Sequence, residues 1–241
     1  MLVPHQTDRA ELLDLGSGTL CQVRESLHDI RRINAFLGGA RVAVNAIFAI
    51  LQERELKRAT VLDIGTGAAD IPLRLRRQAA RREIDLKIIA LDLNARHLQI
   101  AREDIAKTAG AARDISLLRA DAFALPLADK SVDIVIASLF THHFRAPDIV
   151  RLLNEFSRVA RTGWVINDLV RHNIPLYFFR LVRPIFARSH LTRHDAQASI
   201  RRGYTTEEMQ KILERNELHN VQLRAHFPYR MSLAWQRNED E

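Results

Sequence analysis

The segment from Val61 to Asp70 constrains the fold of this chain more than any other, because an apolar run there breaks into a glycine turn. The apolar residues of the run are typical of a buried strand. Gly65 and Gly67 can adopt positive φ angles and leave a ligand room to approach the backbone. A helix is predicted directly afterwards, over about residues 69–81. The turn therefore presents backbone N–H groups and a positive helix end to a ligand above the strand.

The spacing of the turn distinguishes between cofactors. A dinucleotide-binding turn needs its third glycine where Asp70 stands, and a carboxylate near the pyrophosphate disfavours NAD. The segment instead resembles motif I of class I S-adenosylmethionine-dependent methyltransferases, Asp-x-Gly-x-Gly-x-Gly, with the small residue Ala69 in place of the last glycine. The resemblance implies that S-adenosylmethionine is bound by Asp63, Gly65, Thr66, Gly67 and Asp70.

Three later strand ends resemble the same family, in the same order. A second predicted strand ends at Asp92, where the family has an acid that accepts hydrogen bonds from the ribose hydroxyls. A third predicted strand is followed by Asp121 and Ala122. In the family, the acid at this place holds the adenine amino group, and the small residue packs on the adenine ring. The resemblance covers about residues 61–217. It implies further cofactor contacts from Asp92, Leu93, Asp121, Ala122 and Ser138.

Strand and helix patterns alternate through the middle of the chain. They fall at residues 60–64, 69–82, 86–91, 95–109, 114–119, 132–138, 147–160 and 163–167. Such alternation predicts a parallel sheet with helices on both faces and a ligand site at the carboxyl ends of the strands. Two terminal strands, at 220–227 and 230–235, complete an α/β, Rossmann-like sheet of seven strands that is mostly parallel, with the last strand antiparallel. We assign residues 59–241 to this methyltransferase domain and residues 1–58 to an N-terminal helical cap.

The cap is predicted to contain a helical hairpin, with helices over residues 22–37 and 41–53. In similar methyltransferases such a hairpin covers the cofactor and part of the substrate pocket. Arg31, Arg32 and Asn34 either face that pocket or are solvated helix residues. Residues 1–20 show no sustained period, and we expect a loosely held segment with little function.

An insertion over residues 171–203 follows the fifth strand. Its apolar run is too short, and too interrupted by arginines and prolines, to span a membrane. In similar enzymes this insertion carries substrate-selecting helices, so we interpret it as a mobile helical lid over a hydrophobic or aromatic acceptor. A homodimer interface and an ordinary core helix are the alternatives. The expected substrate contacts are Asn167, Arg171, Tyr177 and Tyr204.

Two histidines follow the fourth strand, where the methyl donor is expected. Methyl transfer mainly requires alignment and exclusion of water, but an oxygen acceptor must also lose a proton. Histidine is the usual base near neutral pH. The resemblance favours His143 over His142 as the inward-facing catalytic base, and loop packing is the alternative for both. His190, His194 and Asp195 match no trusted ligand spacing, so no metal is predicted.

Composition limits the partners and the compartment. The net charge of +7 invites nucleic acid, but the arginines are spread among acids along helices, so nucleic acid is an unlikely partner. A lone cysteine, Cys21, excludes a disulfide framework and favours the cytoplasm. Neither a secretory signal nor a transmembrane segment is expected.

The sequence therefore predicts an S-adenosylmethionine-dependent methyltransferase acting on a hydrophobic or aromatic small molecule. It is similar to the enzymes of ubiquinone and menaquinone biosynthesis, and O-methylation with a histidine base is expected. A non-catalytic S-adenosylmethionine-binding module and an RNA methyltransferase are the alternatives. His143 beside the cofactor motifs argues against the first, and the missing base-flipping loop and basic tail argue against the second.

Overall fold

The computed structural model describes residues 3–218 and 220–238, with the side chains of 182–186 excepted. Its strands are β1 (Arg58–Ile64), β2 (Asp85–Asp92), β3 (Ile115–Arg119), β4 (Val132–Ser138), β5 (Ala160–Leu169), β6 (Gln222–His226) and β7 (Arg230–Gln236). They form one sheet in the order β3-β2-β1-β4-β5-β7-β6. Strands β1 to β5 are parallel, and β7 is antiparallel to both of its neighbours. The predicted seven-stranded sheet with a reversed last strand is confirmed.

Eight helices accompany the sheet in the described part of the chain. They are α1 (Leu20–Phe36), α2 (Gly39–Glu53), α3 (Asp70–Arg81), α4 (Ala95–Ala106), α5 (Ala146–Val159), α6 (Asn173–Phe186), α7 (His190–Arg202) and α8 (Thr206–Arg215). Short 3₁₀ turns lie at Ala111–Arg113 and Thr141–His143. The outer ends of the two predicted domains, residues 1, 2 and 239–241, lie outside the described residues.

The core has a layer on each face of the sheet. Successive strand residues point to opposite faces, and the central strands β1 and β4 are buried on both faces over most of their length. Helices α2, α3 and α4 pack on one face, and α5 and α8 pack on the other. Ile47 and Phe48 of α2 share a core with Val61 and Ile134 of the sheet. Helix α2 is therefore part of the sheet's core, and the division of the chain at residue 58 stays an interpretation.

The predicted hairpin of α1 and α2 is wrong in its geometry. The two helices meet at a bend of 68° and do not double back on each other. Gly38 permits this bend because its φ angle is 76°, in the left-handed region. Helix α1 packs on α4 and α7. Among the described residues no single helix is long and apolar enough to span a membrane, and α1 and α2 pass that test only as a joined pair.

The segment before α1 is fixed, contrary to expectation. Asp195 of α7 accepts hydrogen bonds from the backbone N–H groups of Leu12 and Leu13, at 2.8 and 3.1 Å. The side chain of Leu13 is buried in a cluster with Ile100 and Leu191. Because these contacts join backbone groups to a residue more than 180 positions away, the segment needs no periodic pattern to be held.

The two helices of the predicted lid differ in how they are held. Helix α7 has several polar anchors besides Asp195: Thr192 bonds Ser26 at 2.9 Å, and Ser189 donates its N–H to Asp29 at 2.8 Å. The expectation of a lid with few anchors is therefore wrong for α7. Helix α6 instead carries an exposed apolar stripe, here called the α6 stripe. It consists of Ile174, Tyr177, Phe178 and Leu181.

Candidate active site

A cavity of about 920 Å³ opens at the carboxyl ends of the central strands. Its walls come from the strand ends, from α1, α6 and α7, and from the segment before α1. All ten residues that the sequence assigned to the cofactor lie along it. They are Asp63, Gly65, Thr66, Gly67, Asp70, Asp92, Leu93, Asp121, Ala122 and Ser138.

The glycine turn is left-handed at three alternate positions. The φ angles of Gly65, Gly67 and Ala69 are 69°, 53° and 58°. A Cβ on Gly65 would lie 2.6 Å from the ring of Phe140, so only glycine fits there. Ala69 is fully buried in a conformation that costs a non-glycine residue roughly 1–2 kcal/mol. The alanine in place of the third motif glycine therefore strains the turn, which its small size alone did not reveal.

Two carboxylates in the turn have unpartnered oxygens. Among the described residues, Oδ2 of Asp63 and Oδ2 of Asp70 have no hydrogen-bond partner. Burial raises the pKa of Asp63 to about 8, and the nearby carboxylates of Asp70 and Asp92 act in the same direction. Burial also raises the pKa of Asp70, although Arg74 and Arg31 oppose it. Buried acids with raised pKa values and free oxygens fit a cationic ligand.

Asp92 ties β2 to the glycine turn. Its Oδ2 accepts the N–H of Gly67 at 3.0 Å, and its Oδ1 accepts the N–H of Asn94 at 2.9 Å. A carboxylate has about four acceptor sites, so lone pairs remain for a ligand. Oδ2 also lies 3.3 Å from Nδ1 of His97, whose Nε2 is buried without a partner among the described residues. This second, structural role of Asp92 was not visible in the sequence.

His142 is held as a buried cation. Its Nδ1 lies 2.7 Å from Oδ1 of Asp168, and its Nε2 lies 3.4 Å from Glu11. Burial alone would lower the pKa of His142, but the carboxylates of Asp168 and Glu11 outweigh burial and raise it well above the usual range. Burial would raise the pKa of Asp168, but His142 and Thr141 hold it far below the usual range. A pKa raised in this way makes His142 a poor base, and its place among the catalytic residues stays a prediction.

His143 has a different environment from its neighbour. Its Nδ1 lies 2.8 Å from Oδ2 of Asp14, and its side chain lines the cavity. A carboxylate at Nδ1 favours the tautomer with the proton on Nδ1 and a lone pair on Nε2. Nε2 has no hydrogen-bond partner among the described residues. This arrangement suits proton acceptance from a ligand in the cavity.

Glu11 and Asp14 were missed by the sequence analysis. Both lie in the segment expected to have little function, and both line the cavity beside the histidines. Ser199 of α7 donates to Glu11 at 2.6 Å, and Arg202 pairs with Asp14 at 3.3 Å. Isolated acids in an aperiodic segment carry no sequence signal that pairs them with histidines about 130 positions away.

Comparison with known proteins identifies a methyltransferase domain in the chain. Residues 61–163, which hold the glycine turn and the ends of β2, β3 and β4, match the model of a methyltransferase domain family. The protein is an S-adenosylmethionine-dependent methyltransferase. No curated protein sequence matches it.

Solved structures share the fold of this methyltransferase at low sequence identity. An S-adenosylmethionine-dependent methyltransferase from Aquifex aeolicus is 21% identical, with a TM-score of 0.52 over 78% of this chain and 87% of that one. Magnesium protoporphyrin IX methyltransferase from Synechocystis, with S-adenosylhomocysteine bound, is 13% identical, with a TM-score of 0.56 over 83% of this chain and 84% of that one. Human N-acetylserotonin methyltransferase, in complex with S-adenosylmethionine, is 12% identical, with a TM-score of 0.63 over 97% of this chain and 63% of that one.

The four residues predicted to contact substrate do not line the cavity of the methyltransferase as far as the chain is described. Nδ2 of Asn167 donates to Ser138 at 2.9 Å. The guanidinium of Arg171 binds the carbonyl of Gly203 and the carboxylate of Glu208. The guanidinium of Arg171 is used within the protein, so the prediction is corrected for Arg171. Oδ1 of Asn167 is buried without a hydrogen-bond partner among the described residues, and its role as a substrate contact stays a prediction.

The two tyrosines of that set also lie elsewhere. The hydroxyl of Tyr204 donates to the carbonyl of Phe144 at 2.9 Å, and the residue is buried. Tyr177 lies on the α6 stripe and is 64% exposed. Other residues of the same region line the cavity, from both α6 and α7. They are Pro175, Phe178, Phe179, Thr192, Asp195, Ala196, Ser199, Ile200 and Arg202.

Proposed function

We propose that this methyltransferase transfers the methyl group of S-adenosylmethionine to the oxygen of a hydrophobic or aromatic small molecule, with His143 as the general base. One observation carries the proposal. The pair of His143 and Asp14 lines the same cavity as the carboxylates of the glycine turn. A base and a cofactor loop that face one cavity can act on one bound acceptor.

The residues of the turn fit S-adenosylmethionine. When bound, the cofactor supplies a methyl group on a positively charged sulfur. The free oxygens of Asp63 and Asp70 offer acceptors for its ammonium group, and Asp92 keeps lone pairs for the ribose hydroxyls. Leu93 and Ala122 are the apolar residues for the adenine ring, with Asp121 beside them.

The rest of the cavity supports a hydrophobic acceptor. Its wall contains Phe140 and Phe144 beside the histidines, and Phe178 and Phe179 of α6. A volume of about 920 Å³ is large for a single small ligand, and it leaves space for an acceptor beside the cofactor. Two of the proteins that share the fold are methyltransferases named for small molecules, magnesium protoporphyrin IX and N-acetylserotonin. A cytoplasmic location, proposed from the lone Cys21, is compatible with this chemistry.

The charges around His143 favour its role as base. Nε2 of His143 would accept the proton of the acceptor hydroxyl, whose oxygen would take the methyl group that bound S-adenosylmethionine would supply. Asp14 then stabilises the protonated ring through Nδ1. The charge of His142, only 4.2 Å away between ring centroids, is balanced by Asp168 and Glu11. The charged neighbour of His143 is therefore itself paired with acids.

Turnover of His143→Ala on a panel of phenols tests the proposal. We expect the rate constant kcat to fall by about 10²–10⁴-fold, with unchanged S-adenosylhomocysteine affinity by calorimetry, because the base acts only on the acceptor. His190→Ala is the matched control, since His190 is exposed and outside the cavity lining. Full turnover by His143→Ala would remove His143 from the proposed role.

A chelator tests a competing chemistry at the same place. Ligand atoms of Glu11, His142 and His143 all lie within 4.8 Å of one another. We expect EDTA to leave turnover unchanged, because His142 carries a proton where a metal would need a lone pair. Loss of turnover with EDTA and recovery with a divalent cation would replace the histidine base by metal assistance. Methylation of RNA in place of the phenols would contradict the small-molecule acceptor.

A further inference from the structure

Arg230 is a buried cation that the proposed reaction does not use. It is 1% exposed, yet its Nε and Nη1 have no hydrogen-bond partner among the described residues. It opens β7 opposite Leu169, so it lies at the carboxyl end of β5 and lines the cavity. Buried charges are normally paired, so an unpaired guanidinium at a cavity wall indicates a missing anion.

No acid in the described part of the chain pairs with Arg230. Burial lowers the pKa of Arg230 to about 10, although the charge of Asp168 acts in the opposite direction. Asp168 is already committed, because its oxygens accept hydrogen bonds from Thr141, His142 and the N–H of Leu169. The protein therefore leaves this charge only partly compensated, at a place that a ligand can reach.

Asn34 of α1 converges on the same place. It is 3% exposed, it lines the cavity, and its Oδ1 has no partner among the described residues. A Cβ on Gly39 would lie 2.2 Å from Oδ1 of Asn34 and 2.7 Å from Nη1 of Arg230. The glycine thus leaves space where both side chains meet. A guanidinium and the Nδ2 group of an amide, which also hydrogen-bonds Asp70, together form a donor set for a carboxylate.

We propose that Arg230 and Asn34 bind a carboxylate of the methyl acceptor, which makes the acceptor a hydrophobic or aromatic hydroxy acid. This inference rests on the proposed function. The cofactor also has a carboxylate, and the side chain of Asn34 hydrogen-bonds Asp70 of the glycine turn. The acceptor is favoured because Arg230 stands on β7 beside β5, where its charged neighbour is Asp168 of the histidine cluster and not an acid of the turn.

Calorimetry with matched ligands tests the inference without methyl transfer. The protein saturated with S-adenosylhomocysteine is titrated with phenolic acids, each paired with its neutral primary amide. We expect the wild type to prefer the acid by on the order of 10–100-fold, and Arg230→Met to abolish that preference. Arg230→Lys, which keeps the charge but loses the planar fork, should retain part of it. A wild type without preference for any acid over its amide would overturn the inference.

A second binding experiment shows whether Arg230 binds the carboxylate of the acceptor or that of the cofactor. S-Adenosylhomocysteine has the amino-acid carboxylate, and 5′-methylthioadenosine lacks it. We expect Arg230→Met to bind both as the wild type does. A loss confined to S-adenosylhomocysteine would assign Arg230 to the cofactor and overturn the acceptor assignment. Neither arm depends on His143, so failure here and failure of the proposed base are distinguishable.

Thermal unfolding of the ligand-free protein distinguishes a binding role from a structural one. Replacing a poorly compensated buried charge by an apolar chain of similar length is often stabilising, so Arg230→Met should raise Tm by about 2–4 °C. If Arg230 instead held the fold together through Asp168, the same change would lower Tm. Asn34→Ala, measured in parallel, should weaken binding of the acids with a smaller effect than Arg230→Met.

Discussion

Asp168 holds His142 at 2.7 Å between Oδ1 and Nδ1, and the same carboxylate also accepts the backbone N–H of that histidine. His143, the next residue, instead pairs with Asp14 of the N-terminal segment. Adjacent histidines thus face different acids. His142 is buried between Asp168 and Glu11, whereas His143 lines the cavity beside Asp14.

The ion pair predicts a pH-dependent loss of stability in Asp168→Asn. The lowered pKa of Asp168 stabilises the fold above the ordinary value of 3.8, and the raised pKa of His142 stabilises it fully below 6.5, with loss as pH rises through the raised value. Both contributions are present between these limits. We expect Asp168→Asn to lower the free energy of unfolding by about 3–5 kcal/mol at pH 6, and by less at pH 9.

Urea denaturation at the two pH values measures this loss. Asp148→Asn is the control, since Asp148 forms an exposed pair with Arg151 at 3.4 Å and should cost less than about 1 kcal/mol. An equal loss at pH 6 and pH 9 would mean that His142 is not charged by Asp168.

Replacing Asp63 should also change stability in a way that depends on pH. Its pKa is raised to about 8, so the native state binds a proton more tightly than the unfolded chain. This contribution is complete below the ordinary pKa of 3.8 and is lost as pH rises through about 8. Asp63→Asn should therefore match the wild type near pH 4 and be the more stable of the two at pH 8–9. The difference in Tm between the proteins, followed across that range, gives the test, and a constant difference would contradict the raised pKa.

The two roles of Asp92 predict that its variants separate binding from stability. Asp92→Ala removes acceptors for the ribose, at about 1.5–3 kcal/mol for each charge-assisted bond, and also leaves the N–H groups of Gly67 and Asn94 without their partner. Asp92→Asn keeps one acceptor oxygen. We expect both variants to bind S-adenosylhomocysteine more weakly by calorimetry and the alanine variant to lose more in Tm. Unchanged affinity in both would mean that the ribose lies elsewhere.

The glycine turn and the strand ends could be predicted because their signals are local. An apolar run followed by Gly65 and Gly67 specifies a strand and a turn within a few residues, and each later strand ends in a polar residue that faces the same edge of the sheet. Ala69 illustrates the limit of such reasoning. Its side chain fits by size, but its left-handed conformation depends on the geometry of the whole turn.

Contacts between distant segments could not be predicted. Asp14 and His143 are 129 positions apart, and nothing in an aperiodic segment indicates which loop it will meet. Arg230 reaches the cavity only because β7 is inserted between β5 and β6 in antiparallel register. The prediction of Arg171 and Tyr204 as substrate contacts was wrong for a related reason. Their side chains donate to the backbone carbonyls of Gly203 and Phe144, which are distant in sequence, and the sequence does not show that these groups meet.

The α6 stripe is largely exposed, and one of its members, Phe178, also lines the cavity. The α6 stripe is exposed by 50%, 64%, 41% and 78% at its four residues in order, while α7 is anchored through Asp195, Thr192 and Ser189. Few buried contacts and solvent-facing hydrogen bonds lower local stability. We expect backbone amides of residues 173–181 to exchange with deuterium faster than those of α7, and to gain protection with cofactor product and acceptor bound.

Protein concentration separates a moving lid from a homodimer in that experiment. A dimer formed through the α6 stripe would protect residues 173–181 without ligand, and the protection would increase with concentration. Leu181→Asp is the informative variant, because a residue that is 78% exposed can be changed with little cost to folding. If α6 is a lid that closes on ligand, α7 should exchange equally slowly in the wild type and in Leu181→Asp. The ligand should then protect α6 less in the variant than in the wild type. Full protection of α6 in dilute, ligand-free protein would contradict mobility, because a helix protected in that state is already as stable as the core.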